Sequence, residues 1–257
     1  MDINSEYKQL VYSVLSKGVD IIGRNGKTKV LVNQTLNIDI SNDIIPILSL
    51  KKIFYKKAFA EFIWMLKGTN NIEYLQKHGI RWWDSWADKD NNLQKSYGYQ
   101  LRNFNGTFDQ LDYVIKELNK KGTSRRAHIT LWNPSNLDSQ ELPCCYTSFN
   151  FVKINNQLEM IMNFRSSDVF LGLPYDIIVG SLFAKYIADK TGLVATKLHI
   201  NLSNAHIYEA HNKQANSMAQ NNAFTVPTIS IGNFKCIDTY IVSNYKSNEY
   251  IKTKIIK

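Results

Sequence analysis

Little in this chain can cross-link it. Three cysteines occur among 257 residues, and two of them, Cys144 and Cys145, are neighbours. That excludes a disulfide framework and points to a reducing compartment with at most one functional thiol. No run of about 18 apolar residues exists, so no segment reads as a membrane span. The start, Met1 to Glu6, is polar and has no signal-peptide apolar region. Low-complexity arms, zinc-finger spacing and an aromatic–glycine RNA signature are also missing, which weighs against nucleic acid as the main partner. The expectation is a soluble cytoplasmic protein without a bound metal.

What is present suffices for a large core. Hydrophobic residues make up 44% and aromatics 12% of the chain, enough to fold without disulfides or metals. The length suits one α/β or α+β domain, or two small ones. With no internal repeat and no linker-like change of composition, one domain over 1–257 is the better count. The net charge of +9 is spread in small groups such as Lys51-Lys52, Lys56-Lys57 and Lys120-Lys121. A site for a small anion, such as a nucleotide phosphate or a glutamate tail, accounts for it as well as nucleic acid does.

Apolar spacing predicts helices over 3–18, closed by Gly18, and over 53–67, 71–78, 107–120, 177–190 and 207–218. Strands are expected over 29–40 with a central polar bend, then 127–132, 146–153, 158–164 and 198–202. Arg24-Asn25-Gly26 reads as a turn, and Asn155-Asn156 as the link of a hairpin. The last forty residues read as short strands and a tail.

The chemistry concentrates around Pro143-Cys144-Cys145 and, twenty residues on, Arg165-Ser166-Ser167-Asp168-Val169-Phe170-Leu171-Gly172-Leu173-Pro174-Tyr175-Asp176. Read alone, Cys145 is a buried structural cysteine. Arg125-Arg126 upstream and Arg165 downstream could instead stabilise a thiolate. Cys144 would face the other way in a strand, so only one of the pair can serve. Glu61, inside an apolar helix, and His206-Ile207-Tyr208 are weak signals singly. Their order is not.

Taken with Gly23-Arg24, Ala60 to Gly68, Trp83 to Asp88, Tyr97-Gly98 and Ser124-Arg125-Arg126, these segments resemble the thymidylate synthase family, including its cytidylate hydroxymethylase branch. The resemblance runs through nearly the whole length. It implies a single-domain α+β fold whose mixed sheet is packed by helices on one side and forms a homodimer interface with shared sites. It also implies 5,10-methylenetetrahydrofolate as co-substrate and a pyrimidine deoxynucleoside monophosphate as substrate. By position, Cys145 is similar to the nucleophile that adds to pyrimidine C6, in register with Asn150-Phe151 downstream. Arg24, Arg165 and Ser166 match phosphate ligands, and Arg125 and Arg126 match arginines that reach the neighbouring subunit's phosphate. His206 and Tyr208 match contacts to the sugar 3′-hydroxyl. Lys51, Trp83, Asp168, Leu171 and Gly172 match folate-side positions, while Glu61 and Tyr97 match acid–base and water-ordering groups.

Those residue types suit the chemistry. Pyrimidine C5 is a poor nucleophile until a thiolate adds at C6. Guanidinium forks bind a phosphate bidentately. An electrophilic one-carbon unit has to come from a folate, because side chains cannot supply one.

The chain departs from the synthase pattern at the base. Asp176 stands where synthases place Asn, Tyr146 where they place His, and Phe164 where they place Gln. An Asn amide matches uracil's N3–H and O4, whereas a carboxyl that shares one proton matches cytosine's N3 and 4-amino group. Asp176 as a mere helix N-cap is the competing reading. The expected activity is therefore C5-hydroxymethylation of dCMP by a phage- or virus-borne enzyme in the host cytoplasm. A dCMP methylase that releases dihydrofolate is the alternative, followed by a thymidylate synthase acting on dUMP. An inactive basic nucleic-acid-binding protein is the alternative from another class.

Overall fold

Asp2 begins the first helix, its carboxylate accepting from the Asn4 amide, and apolar spacing carries α1 over Ile3–Lys17 in the computed structural model, which describes residues 2–256. Gly18 closes it as expected, though in an extended rather than left-handed conformation. Its need for glycine is steric: a Cβ there would sit 2.3 Å from the Val14 carbonyl oxygen. Strands β1 (Val19–Gly23) and β2 (Gly26–Asp39) then form a hairpin through Arg24-Asn25. Asn33, at φ 53°, supplies the polar bend expected in β2.

Helix α2 (Tyr55–Lys67) is buried without a break from Ala58 to Leu66, Glu61 included. Short helices α3 (Glu73–Lys77) and α4 (Tyr97–Arg102) flank a 3-10 turn at Asp84–Trp86, and α5 spans Gln110–Leu118. After β3 (His128–Thr130) come β4 (Tyr146–Ile154) and β5 (Gln157–Phe164), turning at Asn155 with φ 56°. The two-residue β6 (Ser167–Asp168) leads into α6 (Leu173–Thr191), which ends on Gly192 at φ 67°. The chain continues through β7 (Val194–Tyr208) and α7 (Asn212–Gln220) to a separate pair, β8 (Thr228–Ile231) and β9 (Tyr240–Ser243).

The main sheet runs β1-β2-β7-β5-β4-β3, with β6 also beside β7. It is mixed: β5 and β6 run parallel to β7 and the other neighbours are antiparallel. This is the α+β architecture expected. Leu158, Met160, Met162 and Phe164 alternate along β5 into one connected apolar core. Helix α6 lies so close to the sheet at Gly180 that a Cβ would stand 2.9 Å from the Met162 sulfur. Phe183 packs edge-on against Phe62 of α2, 4.9 Å between centroids. Among the described residues no helix is long and apolar enough to cross a membrane.

Two differences from the expected elements bear on the site. Helix α6 begins at Leu173, four residues earlier than expected, because Pro174 has a fixed φ and no N–H and so fits a first helical turn. The helix expected from Ile207 is instead the end of β7, held by β2 on one side and β6 on the other, and α7 starts only at Asn212. Helical spacing at 207–218 was overridden by sheet pairing. The helices expected over 71–78 and 107–120 and the strand over 127–132 are shorter than expected, and the strand over 198–202 extends at both ends. Of the C-terminal tail, Lys257 lies outside the described residues.

Candidate active site

The end of β5 and the start of β4 meet where the cysteines stand. The Arg165 amide donates to the Cys145 carbonyl at 3.0 Å, continuing the pairing that joins Tyr146 to Phe164. Arg165 then folds back: Nε donates to the Cys144 carbonyl at 2.9 Å and Nη2 to the Pro143 carbonyl at 2.6 Å. Nη2 also lies 3.9 Å from the Cys145 sulfur. The Trp132 ring lies 5.6 Å from the guanidinium carbon, a support that spacing alone did not reveal.

The two cysteines are not equivalent. Cys144 is buried in the core at 1% exposure, and burial pushes its thiol far up. Cys145 is half-buried, its amide donating to the Tyr97 hydroxyl oxygen at 2.6 Å. Burial raises the Cys145 thiol too, Arg165 pulls it down, and Asp176 pushes it up. The thiolate stabilisation expected from arginines is therefore partial in the free protein: of the arginines Arg165 provides it, with help from a hydrogen bond to Tyr97. Arg125 and Arg126 are exposed, and Arg126 acts on Glu117 instead.

Glu61 projects from buried α2 toward the same region. The Trp83 indole N–H donates to Oε1 at 2.7 Å and that of Trp82 at 3.4 Å. Burial raises the carboxyl to about 6 against these two bonds. Trp83 in turn contacts Trp64, Trp86 and Tyr97, so Glu61 has a rigid aromatic support. Trp82's share in it was not foreseen, although adjacent tryptophans in the sequence hinted at it.

Asp176 is not a cap. Gly172 occupies the N-cap, and the Asp176 amide makes a bond to the Gly172 carbonyl at 3.2 Å inside the helix. Its carboxyl is raised well above the usual range by burial, then by the charges of Glu61 and Asp168. Asp168 has a turn-forming role: Oδ1 accepts from the Phe170 and Leu171 amides at 2.9 and 3.0 Å. A Cβ on Gly172 would lie 3.4 Å from the Asp168 carbonyl oxygen and 3.7 Å from Asp176 Oδ2, so glycine keeps the space between the two acids open.

Lys51 is buried, donates to the Phe170 carbonyl at 2.5 Å and lies over its ring. Burial lowers it to about 8, with Asp168 opposing. His206, beside Asp168 in the β6–β7 pair, is lowered by burial, and its Nδ1 lies 3.1 Å from the acceptor Asn204 Oδ1. Tyr208, two residues on, is raised by burial and feels Asp168, Cys145 and Arg24. Arg24, in the β1–β2 turn, thus approaches the same region, and Ser166 and Leu171 are half-buried along it. A cleft of about 670 Å³ opens between the start of α2 and β9, lined by Lys52, Lys56, Lys57, Lys246 and His78 and by none of the site residues above. Among the described residues no three His, Cys, Asp or Glu side chains are grouped to hold a metal ion.

The arrangement offers one half-buried thiol, one buried carboxyl raised to about 6 and a second raised well above the usual range, bordered by cationic groups. The family model described as "Thymidylate synthase" matches residues 5–257 of the chain.

Proposed function

The chain belongs to the thymidylate synthase family, whose members transfer one carbon from methylenetetrahydrofolate to a pyrimidine nucleotide, and we propose that this member hydroxymethylates dCMP at C5. The observation that carries the reading is Asp176, which lies inside the first turn of α6 with its carboxyl raised well above the usual range. A neutral carboxyl donates its O–H to cytosine N3 while its other oxygen accepts from the 4-amino group. The amide that synthases carry there has donor and acceptor arranged for uracil.

The folate side suits the residues present. Gly172 leaves the gap between Asp168 and Asp176 unfilled. Lys51 and the basic cleft beside it suit the carboxylates of a glutamate tail. When bound, the folate supplies an electrophilic one-carbon unit.

In the proposed mechanism Arg24, Arg165 and Ser166 hold the 5′-phosphate, joined by Arg125 and Arg126 from a second copy of the chain. His206 and Tyr208 hold the 3′-hydroxyl. Cys145 loses its proton and its sulfur bonds to C6, so electron density moves into the ring toward N3, where the Asp176 proton neutralises it. C5 thereby becomes the nucleophile. Glu61, near 6, exchanges protons with the base and the departing group, and Tyr97 orders water beside them. Once C5 carries the one-carbon unit, loss of the C5 proton and of tetrahydrofolate would leave an exocyclic methylene. Water would add its hydroxyl there, and the Cys145–C6 bond would then break, returning the thiolate and restoring the ring. A dCMP methylase draws support from the Trp83–Trp86 contact, an apolar surface that would exclude water and favour hydride transfer.

Calorimetric titration with dCMP, dUMP and CMP tests the base reading without turnover. The proposal expects dCMP to bind most tightly; dUMP binding as tightly as dCMP contradicts it.

A further inference from the structure

Tyr146 is the residue after the candidate nucleophile, buried at 3% exposure, and its hydroxyl has an odd partner. The O–H donates to the Met65 sulfur at 3.3 Å. A thioether is a weak acceptor, and a buried phenol ordinarily finds a carbonyl or carboxylate. Met65 is four residues after Glu61 on α2, so both occupy the same face of that helix. The hydroxyl therefore lies on the side of α2 that carries Glu61, close enough for the Glu61 charge to raise the phenol. Oε1 of Glu61 is taken by Trp83 and Trp82, and neither bond uses Oε2.

Three aromatic rings flank that of Tyr146. It lies 4.4 Å from the Tyr97 ring, 5.4 Å from Phe164 and 5.7 Å from Phe149. We propose that Tyr146 is a positioning residue whose hydroxyl, parked on the Met65 sulfur in the free protein, turns to Glu61 Oε2 and orients that carboxyl for proton exchange. Burial and the neighbouring charges of Glu61, Asp176, Cys144 and Cys145 all raise the phenol, so it stays a donor at neutral pH. The same groups, with the Tyr97 phenol, are the titrating neighbours in any pH profile of the site.

The inference rests on the proposed function only in taking Glu61 as the proton carrier, and its first test needs no substrate. Carbon-13 NMR of the Glu61 carboxyl should show a midpoint near 6. Met65→Leu removes the sulfur and frees the hydroxyl, so the midpoint should fall, and adding Tyr146→Phe should restore it. An unmoved midpoint in Met65→Leu overturns the proposal, because the hydroxyl then does not reach Glu61. The second test uses whichever nucleotide the wild type converts, so a wrong base assignment does not disturb it. Tyr146→Phe keeps the ring stack and should lower kcat about tenfold or more. Its nucleotide KM should stay within about twofold, with the Glu61 limb of the kcat pH profile displaced. Met65→Leu should retain kcat. Wild-type kcat in Tyr146→Phe, or an equal loss in Met65→Leu, shows that the hydroxyl only packs against sulfur.

Discussion

At the scale of single residues the structure separates two cysteines that look alike in sequence. Cys144 is sealed in the core, and Cys145 is half-buried beside Arg165 and Tyr97. Cys145→Ala should therefore abolish turnover while nucleotide binding persists, and Cys144→Ala should stay active. Steady-state rates with calorimetric binding check both, and the reverse pattern would reassign the nucleophile. Glu61 carries a pH-dependent cost as well as its proposed chemistry. Its folded value of about 6 lies above the usual carboxylate value, so folding favours the protonated form. The penalty is absent below the unfolded value near 4.5, grows between there and about 6, and is complete above it. Glu61→Gln should thus gain up to about 2 kcal/mol more stability at pH 8 than at pH 4, read by urea unfolding. The same variant should lose turnover by roughly 100-fold. Asp176→Asn should shift the dCMP/dUMP ratio of kcat/KM toward dUMP by about 100-fold or more, since one hydrogen-bond pattern replaces its opposite. An unchanged ratio would remove Asp176 from base reading. Residue types and order were legible in the chain; burial was not. Trp82, Trp132 and the Met65 contact depend on tertiary packing that no local pattern encodes.

At the scale of elements, the proposed base reader is placed by the start of α6. Sequence spacing puts that helix at 177 and makes Asp176 a plausible cap. Leu173 and Pro174 instead complete its first turn, which moves Asp176 inside the helix. The strand β7 shows the opposite kind of override, since its pairing with β2 and β6 extends it through His206 and Tyr208 and ends the apparent helical pattern. Strongly alternating β4 and β5 and the apolar α2 were readable because each buries one repeating set of side chains. Short α4 was not, having too few residues to display a period. Gly180 ties α6 to the sheet, with Met162 and Leu198 at 2.9 and 3.1 Å from any added Cβ. Gly180→Ala should destabilise by about 1–3 kcal/mol through overpacking, measurable by urea unfolding. Because the displaced helix carries Asp176, base preference should weaken along with stability.

At the scale of the whole molecule, the face of the sheet opposite the core carries a hydrogen-bonded row. Glu159 meets His199 at 2.9 Å, His199 meets Asn37 at 2.7 Å, and Asn201 donates to Asn163 at 2.9 Å. This face is proposed to meet a second copy of the chain, with Arg125 and Arg126, both exposed, completing the partner's phosphate site. Mixing an Arg126→Ala subunit with a Cys145→Ala subunit should restore part of the activity through one competent hybrid site. A fully active monomer in sedimentation would exclude sharing. The claim on which all of this converges is the reaction itself. Incubation with dCMP and methylenetetrahydrofolate, followed by product mass and dihydrofolate absorbance, tests it most directly. The account predicts 5-hydroxymethyl-dCMP with no dihydrofolate formed. Stoichiometric dihydrofolate with 5-methyl-dCMP, or turnover of dUMP in place of dCMP, would contradict it.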